Sequence, residues 1–338
     1  MAKTSKLMFI SLLIMGTLIS ISAYSWFGMW MGLEINLLAI IPILQMKNNF
    51  LSAESSIKYF IVQAVASTFI LMSIIMLSFK SKITFNDFIN SAPMLMMNLS
   101  LLMKMGMAPF HFWFPEVLEG LSWFNCILIL TWQKLAPMIL LMYIMEFSKS
   151  MFIIITSGVM ISGILSLNQT SLRKLMAYSS INHMSWMISS MMIYKSIWFI
   201  YFIIYSILTL NILLIFNYYK IYFINQLFQS LSNFSLMKFM FIMNFLSLSG
   251  IPPFIGFLPK WLTIQALINE KMYLLTLIMI MFTLIMIFVY MRISLSSLIL
   301  NNNEHNWKIN FTNKSPFLLK LNFLMIASLI LVTLMFNI

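Results

Sequence analysis

The sequence has few charged residues, few residues that favour turns and almost no cysteine. Of its 338 residues only 8% are charged, and glycine and proline each occur 9 times. Soluble domains carry roughly a quarter of charged residues, so this composition excludes a soluble globular protein. The single cysteine, Cys126, excludes an internal disulfide and a cysteine-rich metal or cluster site.

The sequence also lacks the motifs that bind redox cofactors. It contains no glycine-rich dinucleotide fingerprint, no phosphate-binding loop and no pair of haem ligands. We therefore expect that this chain binds no cofactor and no metal of its own. The net charge of +12 comes from basic residues spread through short loops rather than clustered on one face, which argues against nucleic-acid binding.

Hydrophobic residues make up 62% of the chain and form long runs. A helix of roughly 20 apolar residues crosses the hydrocarbon core of a membrane. Eleven stretches fit this requirement: residues 7–23, 26–44, 59–79, 93–114, 123–145, 151–167, 176–192, 197–217, 239–267, 274–292 and 317–336. The ninth is too long for one simple span and contains Gly250, Pro252 and Pro253, so we expect a discontinuous helix there. The sequence thus predicts an all-α, polytopic membrane protein with about eleven transmembrane helices.

A ten-residue pattern, G-x-x-P-F-x-x-x-x-P, occurs twice at an interval of 144 residues. The first copy has Gly106, Pro109, Phe110 and Pro115, and the second has Gly250, Pro253, Phe254 and Pro259. Broken backbone at membrane depth survives only where protein or a water-filled cavity satisfies it. The copies lie in the fourth and ninth spans, which are five spans apart. Successive spans alternate in direction across the membrane, so an odd separation means that the second copy should run opposite to the first. We predict two inverted five-helix repeats, residues 1–150 and 151–295, with a connecting loop and a final helix in residues 296–338; two unrelated kinked helices are the alternative.

The distribution of lysine and arginine in the loops predicts the orientation. Eleven of these residues fall on the side of the N-terminus and five on the other side, if all eleven spans cross the membrane. Loops that stay on the cytoplasmic or matrix side carry the excess of positive charge. We therefore expect the N-terminus on that side and the C-terminus on the opposite one.

Three charged residues lie near the middle of predicted spans: Glu34, Lys104 and Lys134. A charge at the centre of a membrane helix costs about 3 kcal/mol on an insertion scale, so each should face the protein interior. One interpretation is structural, with a Glu34–Lys104 ion pair joining helices and Lys134 bonding to carbonyls of broken backbone. Lys260, between Pro259 and Trp261, is either a fourth buried charge or an interfacial anchor whose side chain extends to the membrane surface.

The functional interpretation of these charges is a proton relay. An apolar environment disfavours a charged lysine and a nearby carboxylate favours it, so a lysine with a mobile acid can take up and release a proton. His111 and His183 are further relay candidates, because imidazole titrates near neutral pH; the alternative for both is a structural histidine with satisfied hydrogen bonds. The position 144 residues after Glu34 is Tyr178, so the second repeat has no acid equivalent to Glu34. The polar residues in that region are Tyr178, Ser179 and His183.

Several segments carry a resemblance to a known family. They are GLEINLLAIIP, KMGMAPFHFWFPEV, TWQKLAP, LNQTSLRKLMAYSSINHMSW and GIPPFIGFLPKW. They resemble the NADH dehydrogenase subunit 2 family, the mitochondrially encoded, antiporter-like subunits of respiratory complex I. The resemblance covers about residues 26–261, and the sequence is most similar to those of insect members.

The resemblance implies a proton-translocating, non-redox core subunit of NADH:ubiquinone oxidoreductase in the mitochondrial inner membrane. In that family a glutamate pairs with a lysine on the first discontinuous helix, a second lysine follows on the next helix, and a charged residue lies on the second discontinuous helix. These roles fall on Glu34, Lys104, Lys134 and Lys260. The implied partners are other membrane-arm subunits, neighbouring antiporter-like subunits among them, and membrane lipids, while NADH, FMN, iron–sulfur clusters and ubiquinone bind elsewhere in the complex. A stand-alone cation/proton antiporter subunit is the alternative.

Overall fold

The structure is a computed structural model that describes residues 3–45, 49–80, 87–145, 149–232 and 235–299. In these ranges the only β-type pairing is a single bridge between Ser171 and Phe223, and the regular elements are helices. The helices are α1 (Lys3–Ser22), α2 (Trp26–Leu44), α3 (Phe50–Lys80), α4 (Asp87–Met105), α5 (Trp113–Gly120), α6 (Trp123–Leu130), α7 (Trp132–Ile144), α8 (Lys149–Ser166), α9 (Leu172–Ile193), α10 (Lys195–Tyr219), α11 (Ile224–Ser232), α12 (Ser235–Ser249), α13 (Phe257–Asn269) and α14 (Tyr273–Ile299).

The all-helical membrane class predicted from the sequence is confirmed. Seven helical stretches in the described part are long and apolar enough to cross a membrane. The helix bounds differ from the predicted spans in places. α3 begins nine residues before the predicted start at residue 59, and Glu54 and Lys58 pair along the surface of this added segment at 3.1 Å. The predicted final span, residues 317–336, and the linker before it lie outside the described residues.

The chain divides into two compact units between Ile154 and Ile155. In the first unit α2 packs against α1 and α3, α3 packs against α4 and α5, and α7 packs against α1, α4 and α6. Small residues bring α1 and α2 very close: a Cβ on Gly32 would stand 2.5 Å from the backbone nitrogen of Ser20. Small residues at helix contacts are typical of membrane bundles, where packing rather than the hydrophobic effect joins the helices.

In the second unit α9 is the central helix. It contacts α10, α13 and α14, and its residues from Leu175 to Met192 are buried. α9 is rich in serine, and serine hydroxyls such as those of Ser179 and Ser180 donate to carbonyls three residues earlier, at 2.7 and 2.8 Å. These local bonds satisfy the polar groups, so a helix of modest hydropathy can occupy the middle of a membrane bundle.

Each unit contains one helix that stops in mid-course at a glycine. α4 ends before Gly106 and α12 ends before Gly250, with φ angles of 72° and 78°. In both, the glycine N–H bonds to the carbonyl three residues back, and the next N–H bonds to the carbonyl five residues back, at 3.0 to 3.4 Å. This is the Schellman arrangement, which closes a helix end and requires a left-handed residue that glycine supplies. Pro109, Pro252 and Pro253 then lie in the segments that lead to α5 and α13.

Candidate functional site

Lys104 lies in the last turn of α4, immediately before the break. Only 7% of its surface is exposed. The carbonyl end of a helix carries a partial negative charge that favours a cation. Gln63 of α3 fixes this end, because its side-chain amide donates to the Lys104 carbonyl at 2.9 Å. The break therefore gives a buried ammonium group a favourable backbone environment.

Glu34 of α2 is the acid whose charge acts on Lys104. The two groups do not form a direct ion pair, in contrast to Lys58, which pairs with Glu54 and Glu116. One carboxylate oxygen of Glu34 is buried without a hydrogen-bond partner. The structure thus places the acid and the lysine in one electrostatic environment but keeps them apart.

A small polar cavity adjoins Lys104. It is lined by Leu33, Asn36, Leu37, Tyr59, Gln63, Lys104, Gln133 and Pro137. The centre of a water molecule has about 10 Å³ available there. A space of that size, with several polar groups around it, fits about one water molecule.

An amide pair forms one wall of this cavity. Asn36 of α2 and Gln133 of α7 donate to each other at 3.0 and 2.9 Å, and the Tyr59 hydroxyl donates to Gln133 at 3.5 Å. These side chains come from three different helices. Asn36 lies on α2 together with Glu34, and Gln133 lies on α7 together with Lys134. The amide pair therefore connects the two helices that carry these charged residues.

Lys134 is the most deeply buried of the charged residues, with 1% exposure. It lies in the first turn of α7, just after Thr131 interrupts the helix that α6 began. Its ammonium nitrogen stands 5.3 Å from the centre of the Phe114 ring, over the ring face. Such a cation–π contact stabilises a desolvated cation by about 2 kcal/mol.

The position of Phe114 depends on the break in α4. A Cβ on Gly106 would approach Phe114 side-chain atoms to 2.9 Å. Glycine therefore supplies both the turn and the space in which the ring beneath Lys134 packs. Phe114 is the second residue of α5. Its ring therefore lies where the two halves of the broken helix meet α7.

Lys260 lies in the first turn of α13 in the second unit. It is buried, with 7% exposure, whereas the adjacent Trp261 is half exposed. Its ammonium group donates to the backbone carbonyl of Ser249 at 2.6 Å, and its carbon chain covers Gly250. The side chain therefore points into the chain, at the closed end of α12, and not outward as an interfacial anchor would.

His183 of α9 lies in an aromatic and polar environment. Its Nδ1 is 3.0 Å from the hydroxyl of Tyr201, and its ring lies 5.2 Å from the ring of Tyr205. Both tyrosines belong to α10. Tyr178 and Ser179 are buried on the same helix as His183, and the Ser179 hydroxyl donates to a backbone carbonyl.

His111 lies in the segment between α4 and α5 and is buried. Its Nδ1 is 3.3 Å from the Pro109 carbonyl, while its Nε2 is buried without a partner. This geometry fixes the ring within the break and leaves one nitrogen for exchange with a proton donor.

Amide and hydroxyl side chains complete the site, and our sequence reasoning did not select them. In the first unit these are Asn36, Gln63 and Gln133, described above. In the second unit both amide atoms of Asn211 and the Asn182 carbonyl oxygen are buried without a hydrogen-bond partner. A buried polar group without a partner costs roughly 1–3 kcal/mol, which makes such positions candidate water sites. A rule that selects charges inside apolar spans does not select these residues, because amides are uncharged.

The described residues contain no group of three or more histidine, cysteine or acidic side chains that could hold a metal ion. The site is therefore built from lysines, one acid, amides and aromatic residues. Such a set can hold and pass protons, but it offers no ligand cluster of the usual metal-binding kind.

The chain is similar to proteins whose functions are known. Residues 23–288 match the family model described as NADH:quinone oxidoreductase/Mrp antiporter, TM. NADH-ubiquinone oxidoreductase chain 2 of Locusta migratoria is 47% identical over 89% of this chain and 88% of its own length. The protein of the same name from Anopheles gambiae is 45% identical over 99% of both chains.

Solved structures share the fold. A chain of respiratory complex I from Thermus thermophilus matches with a TM-score of 0.86 and 19% identity, over 99% of this chain and 80% of that one. A chain of the Mrp complex from Dietzia sp. matches with a TM-score of 0.77 and 12% identity, over 97% of this chain and 75% of that one. At such identities the likeness concerns the fold alone.

Proposed function

Because the chain belongs to the family of NADH-ubiquinone oxidoreductase chain 2, whose membrane domain is shared with antiporters, we propose that it is a proton-translocating subunit of complex I. It acts in the mitochondrial inner membrane, within the membrane arm, beside other antiporter-like subunits. The catalytic activity of the complex is NADH:ubiquinone reduction. This chain contributes proton movement and no redox step.

One observation carries the proposal: of the four lysines that are buried in the described part of the chain, three lie at or next to an interruption of a helix, whereas the fourth, Lys238, bonds to the Leu298 carbonyl. Lys104 precedes the break in α4, Lys134 follows the interruption at Thr131, and Lys260 bonds to the closed end of α12. A structural lysine in a membrane would be expected to have a fixed acid, whereas Lys104 and Glu34 form no direct ion pair and Lys260 bonds to a backbone carbonyl. Lysines held by backbone dipoles and a ring can lose and regain a proton without loss of a salt bridge.

In this proposal Glu34 adjusts the charge state of Lys104. The acid and the lysine are coupled without direct contact, and the water-sized cavity lies beside the lysine. When Glu34 approaches, the charged form of Lys104 is favoured; when it withdraws, the proton passes on towards Lys134. His111, His183, Tyr178 and Ser179 are proposed as further relay groups, and Lys260 as the charge of the second unit.

The proposed architecture has eleven membrane helices in two inverted repeats, residues 1–150 and 151–295, with the rest of the chain outside both. The matching Schellman ends at Gly106 and Gly250 support the repeat. The proposed orientation has the N-terminus in the matrix and the C-terminus in the intermembrane space. NADH, FMN, iron–sulfur clusters and ubiquinone bind other subunits.

The test is the replacement of Lys134 by methionine. Methionine keeps length and apolar volume, so the loss of the cation–π contact, about 0.5–2 kcal/mol, should leave the complex assembled. We expect Lys134→Met to retain assembly and to translocate far fewer protons per electron in reconstituted vesicles. The matched control is Lys195→Met, since Lys195 is exposed at the start of α10.

An assembled Lys134→Met complex that pumps like the parent would make Lys134 a structural residue. The alternative function, a stand-alone cation/proton antiporter subunit, has a separate test. Purification of the chain from native membranes should also recover flavoprotein and iron–sulfur subunits, and their absence from an active preparation would favour the antiporter.

A further inference from the structure

A groove in the second unit lies apart from the lysine site. Its walls are the loop between α8 and α9, the start of α11 and the late part of α14. Water-sized molecules can occupy about 840 Å³ of it. Polar residues such as Thr170 and Ser296 line it together with apolar ones such as Phe223 and Phe228.

Backbone hydrogen bonds fix the walls of this groove. The Leu172 N–H donates to the Tyr222 carbonyl at 3.0 Å, and the Ile224 N–H donates to the Thr170 carbonyl at 3.2 Å. The Gln226 side chain accepts from the N–H groups of both Tyr222 and Phe223. Two loops are thus joined like short strands, and the groove is a preformed feature of the fold.

Arg292 supplies the charge of the groove. Its guanidinium donates to the Leu167 carbonyl at 2.7 Å, which holds the group in place, and the side chain is exposed. A guanidinium has five N–H donors in a fork that suits phosphate, so most of them remain for a ligand. Arg173 stands nearby over the Tyr222 ring, at 4.8 Å.

No acidic side chain lines the groove. The acid in the described residues of this unit is Glu270, which precedes α14, whereas Arg292 lies nineteen residues into that helix. At 1.5 Å per residue the first residue of α14 and Arg292 are about 28 Å apart along the helix axis, and Glu270 lies before that first residue. The part of the groove that the structure describes is therefore electropositive, which favours an anionic ligand.

The groove also has an apolar side. Phe223 is nearly half exposed, and Phe228 is partly exposed on the apolar face of α11. A ligand with an anionic head and a hydrocarbon body matches both features, and basic pockets between membrane helices bind anionic lipid head groups. We propose that this groove binds an anionic phospholipid, with the phosphate on the Arg292 guanidinium and the acyl chains against Phe223 and Phe228.

The test uses the purified native complex and two photoactivatable phospholipids that differ only in head group, phosphatidylglycerol and phosphatidylcholine. Labelled peptides are identified by mass spectrometry. We expect the phosphatidylglycerol probe to label the peptides that contain residues 223–228 about fivefold more than phosphatidylcholine does, as about 1 kcal/mol per basic residue would give.

Variants of the complex test the role of the arginine. Arg292→Gln should lower labelling by the anionic probe to the phosphatidylcholine level, while Arg292→Lys should retain most of it. Lys271→Gln is the control, since Lys271 is an exposed basic residue just before the first residue of α14, at the end of that helix away from the groove.

Three results would overturn the proposal. The first is equal labelling of the groove peptides by the two probes in the native complex, a result that needs no variant. The second is loss of the head-group preference when inorganic phosphate is added to the buffer, which would make the groove a free-anion site. Cross-links from another polypeptide into the groove would show that protein rather than lipid fills it.

Discussion

At the scale of residues, the site supports buried cations with groups that carry only partial charge. Lys134 has the face of Phe114, and Lys260 has a backbone carbonyl. Direct burial of an ion pair requires desolvation of two charges, which often exceeds the attraction gained. A ring face or a helix end carries only partial charge, so it supports the lysine without binding its proton permanently.

Glu34 differs from these groups because its carboxylate carries a full charge, and the size of its effect on Lys104 can be predicted. Two unit charges about 4 Å apart interact by about 4 kcal/mol at an effective dielectric of 20, and at twice that distance by about 2 kcal/mol. A shift of this size changes a proton equilibrium more than tenfold, since about 1.4 kcal/mol corresponds to one factor of ten. We expect Glu34→Gln to assemble and to pump markedly fewer protons per electron, and Glu34→Asp to be milder.

The measurement is proton translocation in vesicles, normalised to electron transfer. Glu54→Gln is the matched control, because Glu54 lies on an exposed surface and pairs with Lys58. A Glu34→Gln complex that pumps at the parental ratio would remove Glu34 from the mechanism and place the switch elsewhere.

Charges inside apolar spans are visible in the sequence because each one is costly there. Glu34, Lys104 and Lys134 could be selected for that reason, and each lies in or near the site. The Asn36–Gln133 pair could not be found in this way, since its members are 97 residues apart and meet only when α2 packs near α7. The ring beneath Lys134 was equally hidden, because Phe114 is one of 31 phenylalanines.

At the scale of elements, the glycines at the two breaks face different neighbours. A Cβ on Gly106 would meet the ring of Phe114, and a Cβ on Gly250 would meet the end of the Lys260 side chain. The ring is enclosed by packing, whereas the lysine end can move. The same backbone device therefore has a rigid neighbour in one unit and a movable charged neighbour in the other.

This difference predicts contrasting effects of alanine. A left-handed conformation costs a non-glycine residue about 1–2 kcal/mol, and overpacking adds about 1–3 kcal/mol. We expect Gly106→Ala to reduce the amount of assembled complex on native gels. Gly250→Ala should assemble better but pump poorly, because Lys260 is displaced from the Ser249 carbonyl.

Gly28→Ala serves as the control for both variants. Gly28 lies in the first turn of α2 with ordinary backbone, and its neighbours include the adaptable hydroxyl of Ser25. Equal assembly and equal pumping of the Gly106 and Gly250 variants would contradict the distinction drawn between the two breaks.

The breaks were predictable because glycine and proline interrupt a helix by their covalent structure. Other element features were not. The start of α3, from Phe50 to Lys58, and the short helix α11 contain several polar residues, so a search for long apolar runs does not detect them. The sequence predicted an apolar span over residues 176–192, and the helix that contains it, α9, begins earlier, at Leu172.

At the scale of the whole molecule, inversion of the two repeats remains a prediction, and two loop residues provide its test. Tyr24 precedes α2 and Asn168 precedes α9, and they are 144 residues apart and exposed. In an inverted repeat, equivalent loops lie on opposite faces of the membrane. We expect Tyr24→Cys to react with an impermeant maleimide from the intermembrane-space side and Asn168→Cys from the matrix side.

Mitoplasts and inside-out vesicles present the two faces separately. The native Cys126 is buried, so the parent chain provides the unlabelled background. Labelling of both variants from the same face would exclude inverted repeats, whatever the number of helices.

The bond between Lys260 and the Ser249 carbonyl bears on how such a protein can diverge. The partner of this lysine belongs to the main chain, so every amino acid that preserves the turn at position 249 provides it. Mutational scans at that position should look silent although the contact is essential. In the proposed repeat Tyr178 lies where Glu34 would recur, and the second unit accommodates the charge of Lys260 without that acid. Every amino acid supplies a backbone carbonyl, so only Gly250 and Lys260 need to be kept by selection for this contact.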